Sequence, residues 1–286
     1  MADQMGMADI RGENIERAVK GFALKEYRFK QVLMMTASSK WTETFYRETA
    51  ADLTANGETF NIQGVARGAA FPHVDPSWTK FQGVHVKFAA ESFVFLEDKL
   101  TDAIDVQART LIRVARSIAS SVDSYIYTTL SGASGINTAA AVATWDNATA
   151  ANRDPIRDIL TGIQYLAVDN YDALSNGFLL LSPLDYTNLM MNSKVINNPS
   201  FKTADVVSNG VVGQVCGLRI IVSNNVTADQ AMIIIGQRAA TWKGAAALQT
   251  ATIEDKGVKF TIRSWEIGQC QVTDPEAIHV ITDTQA

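Results

Sequence analysis

The run LEDKLTDAIDVQARTLIRVARSIASSVDSYIYTTL, residues 96–130, constrains the chain most. Ile104, Ala108, Leu111, Ala115, Ile118, Val122 and Tyr125 alternate steps of four and three, which draws one apolar stripe along a helix. Arg109, Arg113 and Arg116 fall on the opposite side, and Asp105 precedes Arg109 by four residues in the favourable order for a pair. Glu97, Asp98, Asp102 and Asp105 gather at the N-terminal end, where the helix dipole favours carboxylates. From Leu100 to Leu130 such a helix runs about 45 Å at ~1.5 Å per residue. That is long for a domain of this size.

Polar–apolar alternation precedes it. GETFNIQGVA (57–66) reads as a strand, and FQGVHVKFAAESFVFLE (81–97) as another. In the second, Val84, Val86 and Phe88 share one face and His85 and Lys87 the other. Between them RGAAFPHVDPSWTK carries Gly68, Pro72 and Pro76 and exceeds a tight turn. An isolated two-stranded ribbon is marginal in water. It must lie on something, and that something need not be its own chain. Gly64, Gly68, Pro72, Pro76, Trp78 and Lys80 on this excursion, with Arg109, Arg113 and Arg116 on the helix, are therefore the candidate intersubunit contacts.

Ahead of the excursion, Ile15, Val19 and Phe22 recur at helical spacing in an amphipathic arm. After the long helix, SGASGINTAAAVATWDNATAAN (131–152) reads as a loop. Asp154–Pro155 and Ser182–Pro183 each place a cap before a proline in the first helical turn, and Asp185 completes a capping-box pattern. Strands are expected at GFLLL, LRIIVS, AMIIIG, LQTATIED, VKFTIRSWEIGQCQV and AIHVIT. The glycines Gly210, Gly213 and Gly217 precede LRIIVS rather than following a strand and opening a helix, so they do not form a dinucleotide cradle. They permit close approach into a buried strand.

Chemistry is sparse. His73, His85 and His279 are far apart, and neither an H-x-x-x-H pair nor a C-x-x-C exists, so a metal site is not expected. SGASG lacks the spacing of a nucleophile elbow. Cys216 and Cys270 read as buried thiols in strand-like settings. The arginine face could take phosphate, but a solvated or intersubunit ion-pair face is the commoner use of such a pattern. No catalytic residue, cofactor or metal is expected. A formal net charge of -5 argues against tight nucleic-acid binding through a single basic face. No apolar run approaches a membrane span, and the N-terminus shows no secretory signal, so a soluble, cytosolically made protein is expected.

The order of these elements resembles the tailed-phage major capsid proteins of the HK97-type fold. An arm, a long β excursion, a long charged helix, a strand meeting Ser182–Pro183, GLRIIVS (217–223), AMIIIG and a closing VTDPEAI (272–278) follow in the family's sequence. The resemblance implies an α+β fold with an N-terminal arm at 1–40, an extended β loop with flanking strands at 41–98 and a spine helix of the peripheral domain at 99–132. A mainly axial domain at 133–256 and closing strands at 257–286 follow. It implies a homo-oligomer of pentamers and hexamers in an icosahedral shell that encloses double-stranded DNA without sequence-specific binding. The protein would reside in the virion after assembly in the host cytoplasm. Portal and decoration proteins would be its partners, and the little room for a scaffolding segment in the chain implies either a separate scaffolding protein or prior processing. An encapsulin-type compartment uses the same architecture, and a soluble α/β enzyme is the rival from another class.

Overall fold

The computed structural model describes residues 19, 27–48, 66–70, 78–101, 106–196 and 213–286. Two sheets and a ribbon organise them. Sheet I has the order β1 (Met34–Ala37), β10 (Ala240–Asp255), β11 (Lys259–Val272), β4 (Val86–Phe95). Sheet II has the order β5 (Asn137–Ala140), β12 (Ile278–Thr282), β9 (Gln230–Ile235), β6 (Gly177–Leu181), β8 (Leu218–Val222), β7 (Gln214–Val215). The ribbon pairs β2 (Thr42–Glu48) with β3 (Trp78–Val84).

A short helix, α1 (Leu96–Thr101), precedes the long one, α2 (Val106–Ser131). The long helix thus starts later than its stripe suggested and runs about 39 Å at ~1.5 Å per residue; residues 102–105, including Ile104, lie outside the described set. Most of the stripe is buried: Leu111, Ala115, Ile118 and Val122 are in the core, joined by Val114, Ile126 and Leu130, while Ala108 and Tyr125 are half-buried. Each such aliphatic side chain contributes about 1.5–3 kcal/mol on burial. The helix serves both sheets. One core cluster joins it to Val94, Trp242 and Ile262 of sheet I and to Leu180, Met232, Ile234 and Val280 of sheet II.

Strand alternation completes the layering. In sheet II the intervening residues Leu179, Leu181, Ile233 and Ile281 face the other way, onto Ile159 and Leu166 of α3 (Pro155–Val168) and Leu189 of α5 (Pro183–Met191). A short α4 (Ala173–Asn176) leads into β6 and α6 (Ser193–Ile196) follows α5. Helices on both faces explain why β6 reads as an unbroken apolar run and is buried throughout. Both caps form as the sequence suggested: Asp154 accepts from Arg157 N at 3.3 Å and Ser182 Oγ from Asp185 N at 3.1 Å.

Four expectations are corrected. FQGVHVKFAAESFVFLE is not one strand: it breaks at His85 into β3 and β4, which belong to different sheets. His85 is buried rather than on a polar face, because both its backbone N–H and its ring Nδ1 meet the Trp41 carbonyl, at 3.0 and 3.2 Å. The loop after α2 contains β5, which runs parallel to β12. Cys216 lies in a turn, not a strand. With φ of 51° it joins Gly217 at 83° in the two-residue connection between β7 and β8, so both central positions are left-handed, as a tight primed hairpin turn requires. That turn accounts for Gly217; Gly210 lies outside the described residues. Cys270 is buried, which pushes its thiol up to about 12.

One buried carboxylate ties the chain's early residues to α2. Asp123 accepts from Arg28 N at 2.8 Å and Phe29 N at 3.3 Å. Burial nonetheless pushes its carboxyl up to about 6, against these hydrogen bonds and the nearby Lys30 and Arg28 charges. A raised carboxylate pKa means the folded state holds the proton more tightly than the unfolded chain, so this group adds stability as pH falls from about 6 towards 4. Asp123→Asn, which keeps an acceptor for one of the two N–H groups, should remove that component. Melting curves between pH 4 and 7 check it: the variant should lose relative stability on acidification compared with the parent.

Candidate functional site: an assembly surface

The ribbon crosses the end of sheet I and is fixed along its underside. There Phe45 and Phe81 stack with centroids 5.9 Å apart, and the Arg47 guanidinium lies 4.0 Å from the Phe81 ring centre. Arg47 Nε donates to Val272 O at 3.2 Å, and its terminal nitrogen donates to Ser134 Oγ at 2.9 Å. Glu43 accepts from Gln271 Nε2 at 3.3 Å and stands 4.0 Å from Lys243. The approach is so close at Gly83 that an added Cβ would lie 1.5 Å from the Gln269 amide nitrogen.

Alternation then dictates the upper face. Trp78 and the pairs Tyr46↔Lys80 and Thr42↔Val84 point away from sheet I. Tyr46 and Trp78 are each 59% exposed and Val84 52%, with Trp41 at 56% beside them. Among the described residues nothing covers these side chains, which lie at the two ends of the face with Thr44, Gln82 and Lys80 between them, and large exposed apolar side chains on one face are what a protein contact uses.

Trp78 and Lys80, expected in the linker ahead of a strand starting at Phe81, lie instead on β3 itself, and both are exposed. Its partner, however, is Thr42–Glu48, whose alternation in TETFYRE is the signal that would have found it; Gly57–Val65 lies outside the described residues. Gly68 occupies an open turn with φ of 82°, and Ala69 N donates to Ala66 O at 3.0 Å. Gly64, Pro72 and Pro76 lie outside the described residues.

The structure brings the three arginines together. Arg109, Arg113 and Arg116 line, with Ser92, Val106, Thr110 and Ile112, a groove of about 690 Å³ between α2 and β4. Arg116 also borders a smaller polar pocket of about 270 Å³ that holds Arg28, Asp123 and Asn225.

Other polar groups serve packing. Tyr27 Oη donates to Glu266 Oε2 at 2.5 Å while Lys30 pairs with Glu266 Oε1 and lies 3.6 Å from the Tyr27 ring centre. Burial lowers the Lys30 ammonium pKa although Glu266 pulls it the other way. Tyr171 Oη and Arg238 Nε both donate to the buried Asp274. Among the described residues no group of His, Cys, Asp and Glu could hold a metal ion, and no helix is long and apolar enough to cross a membrane.

Two sheets sharing a core through one long helix, with a two-stranded ribbon beside them, place the chain in the HK97-like class. The chain is similar to the virus-like particle from Pyrococcus furiosus (TM-score 0.67, 14% identity, 96% of this chain and 100% of that one). It is similar to the capsid of the cyanophage P-SCSP1u (TM-score 0.68, 12% identity, 100% and 93%) and to Mycobacterium phage Che8 (TM-score 0.62, 17% identity, 100% and 96%). Residues 86–281 match the phage capsid protein family, and the chain belongs to it. It is a structural, shell-forming protein of the virion. No curated protein matches the chain.

Proposed function

We propose that this is a major capsid protein whose copies form pentamers and hexamers of an icosahedral shell around double-stranded DNA. One observation carries the proposal: the ribbon is tied down on one face and bare on the other, so a neighbouring subunit supplies the missing cover. Around Trp78 and Lys80, the excursion bearing Gly64, Gly68, Pro72 and Pro76 reaches across that neighbour. Arg109, Arg113 and Arg116 make charge contacts between subunits. Heterologous contacts of this type close into rings and then shells.

In the proposed domain plan, residues 1–40 form the arm, 41–98 the extended loop with its flanking strands, and 99–132 the spine helix of a peripheral domain. The axial domain corresponds to sheet II. The β10–β11 hairpin crosses the division expected at 256, so the chain leaves sheet II between Ile235 and Ala240 and returns to it at Ile278. A separate scaffolding protein directs assembly in the host cytoplasm, and portal and decoration proteins complete the particle. Net negative charge suits a container that holds DNA without gripping it.

The test is the content of particles purified from producing cells. Nuclease-resistant double-stranded DNA inside particles with five- and six-fold capsomers supports the proposal. Particles filled with protein instead would mark an encapsulin-type compartment and overturn the DNA part of it.

A further inference from the structure

The long hairpin of sheet I ends in an exposed turn, held to its own subunit by one backbone hydrogen bond from Leu96. Asp255 pairs with Lys259, Val258 N donates to Asp255 O at 3.0 Å, and Gly257 has φ of 79° with open space around it. Residues Ile253 to Val258 are all exposed. The turn offers two carboxylates, Glu254 and Asp255, flanked by the apolar Ile253 and Val258 at 46% and 49% exposure. Leu96 N donates to Val258 O at 3.1 Å, so the acidic start of α1, Glu97 and Asp98, stands beside it. Lys256 lies in the same turn, and the Lys259 ammonium sits 4.2 Å from the Phe93 ring centre.

The arginine groove is the complement of this turn in shape and chemistry. It is concave where the turn is convex. Its lining includes the half-buried Val106 and Ile112 and the exposed Arg109 and Arg113. About 300–1,000 Å³ is the range that holds a sizeable ligand, so a groove of about 690 Å³ admits a turn of chain and not merely an ion. The turn cannot enter the groove of its own subunit. Ser92, in the groove, pairs with Ile262, and Phe95 pairs with Lys259, so the ladder carries the turn onward past the groove.

We propose that the β10–β11 turn of one subunit docks into the α2–β4 arginine groove of a second copy of this chain. Ile253 and Val258 meet Val106 and Ile112, while Glu254 and Asp255 meet Arg109 and Arg113. The contact is heterologous, since turn and groove are different surfaces of one subunit, and it propagates around an axis. This inference rests on the shell reading and names one of its contacts.

Charge reversal tests it, with assembly read by sedimentation and electron microscopy. Glu254→Lys with Asp255→Arg should cut the assembled fraction at least about tenfold, because like charges then face each other. Arg109→Glu with Arg113→Glu should do the same. The fourfold variant should recover to within about threefold of the parent, since opposite charges again meet across the contact. Circular dichroism must match the parent in each case. Where a reversal unfolds the hairpin, Glu254→Gln with Asp255→Asn provides the same test, with assembly weakened and less salt-dependent. Normal assembly of either reversed pair, or no recovery in a folded fourfold variant, overturns the inference and leaves the shell reading standing. So does an arginine reversal that assembles normally but loses salt-dependent binding of duplex DNA, which would assign the groove to nucleic acid. A parent that never assembles overturns both.

Discussion

A subunit with serine at Tyr46, Trp78 and Val84 should fold as the parent does and build no particles. Each side chain is more than half exposed on the upper face of the ribbon, so the monomer loses little by the change. Surface substitutions of this kind stay within about 0.5 kcal/mol. On the proposed reading these side chains are buried against a neighbour in the shell, and aromatic anchors at the centre of an interface each cost about 2 kcal/mol or more when truncated. A shell repeats that loss at every contact. The expected result is an unchanged melting curve with assembly abolished. Melting lowered by many degrees with assembly intact would place these side chains inside the subunit's own fold.

The second large effect is acid-dependent and resides in His279. This residue, on β12, is 1% exposed, and neither ring nitrogen has a hydrogen-bond partner. Its ring stacks on Tyr165 of α3 at 5.3 Å, and Gly162 leaves room for it: a Cβ there would come within 2.7 Å of the imidazole. Ile233 of β9 and Asn137 of β5 flank it in the sheet, and Asn137 donates to Asp169 at 2.7 Å. Burial pushes the imidazole down to about 4. The folded state therefore rejects the proton that the unfolded chain takes up near 6.5. Its contribution is complete above about pH 6.5 and is lost progressively as pH falls to 4. The span corresponds to about 3 kcal/mol. His279→Leu, similar in volume, should lose less stability than the parent between pH 7 and pH 4. Asp123 works in the opposite direction over pH 4–6, as do the carboxyls of Asp158 and Asp185, which burial also raises, so the parent shows a net of several groups. Comparison of the parent, His279→Leu and Asp123→Asn separates the His279 and Asp123 contributions. An unchanged acid slope in His279→Leu would contradict the assignment.

What the sequence revealed, and what it hid, follows from how local each signal is. The caps at Asp154–Pro155 and Ser182–Pro183 depend on three or four neighbouring residues, and they form as read. The stripe of α2 depends on helical period alone, and most of it is buried as read. The break at His85 was not legible, because alternation runs through it unbroken; the Trp41 carbonyl, more than forty residues away, turns the chain there. Nor was β5, since NTAA has no apolar alternation of its own and exists as a strand only by pairing with β12. Clustering of the arginines on one face was legible at helical spacing. The groove they line was not, because its opposite wall, Ser92, comes from another strand. The ribbon's exposed face is half legible: Trp78 and Lys80 stood out in the sequence, while Tyr46 lay on a strand whose pairing only the fold reveals.

The central claim is that this chain works as a closed shell. Sedimentation of the concentrated protein, with electron microscopy of the fast-moving fraction and a scaffolding protein added where needed, tests it most directly. The expected result is large hollow particles or rings of five and six subunits, with a monomer-to-shell transition that sharpens with concentration. A compact monomer at every concentration, with and without scaffold, would contradict it.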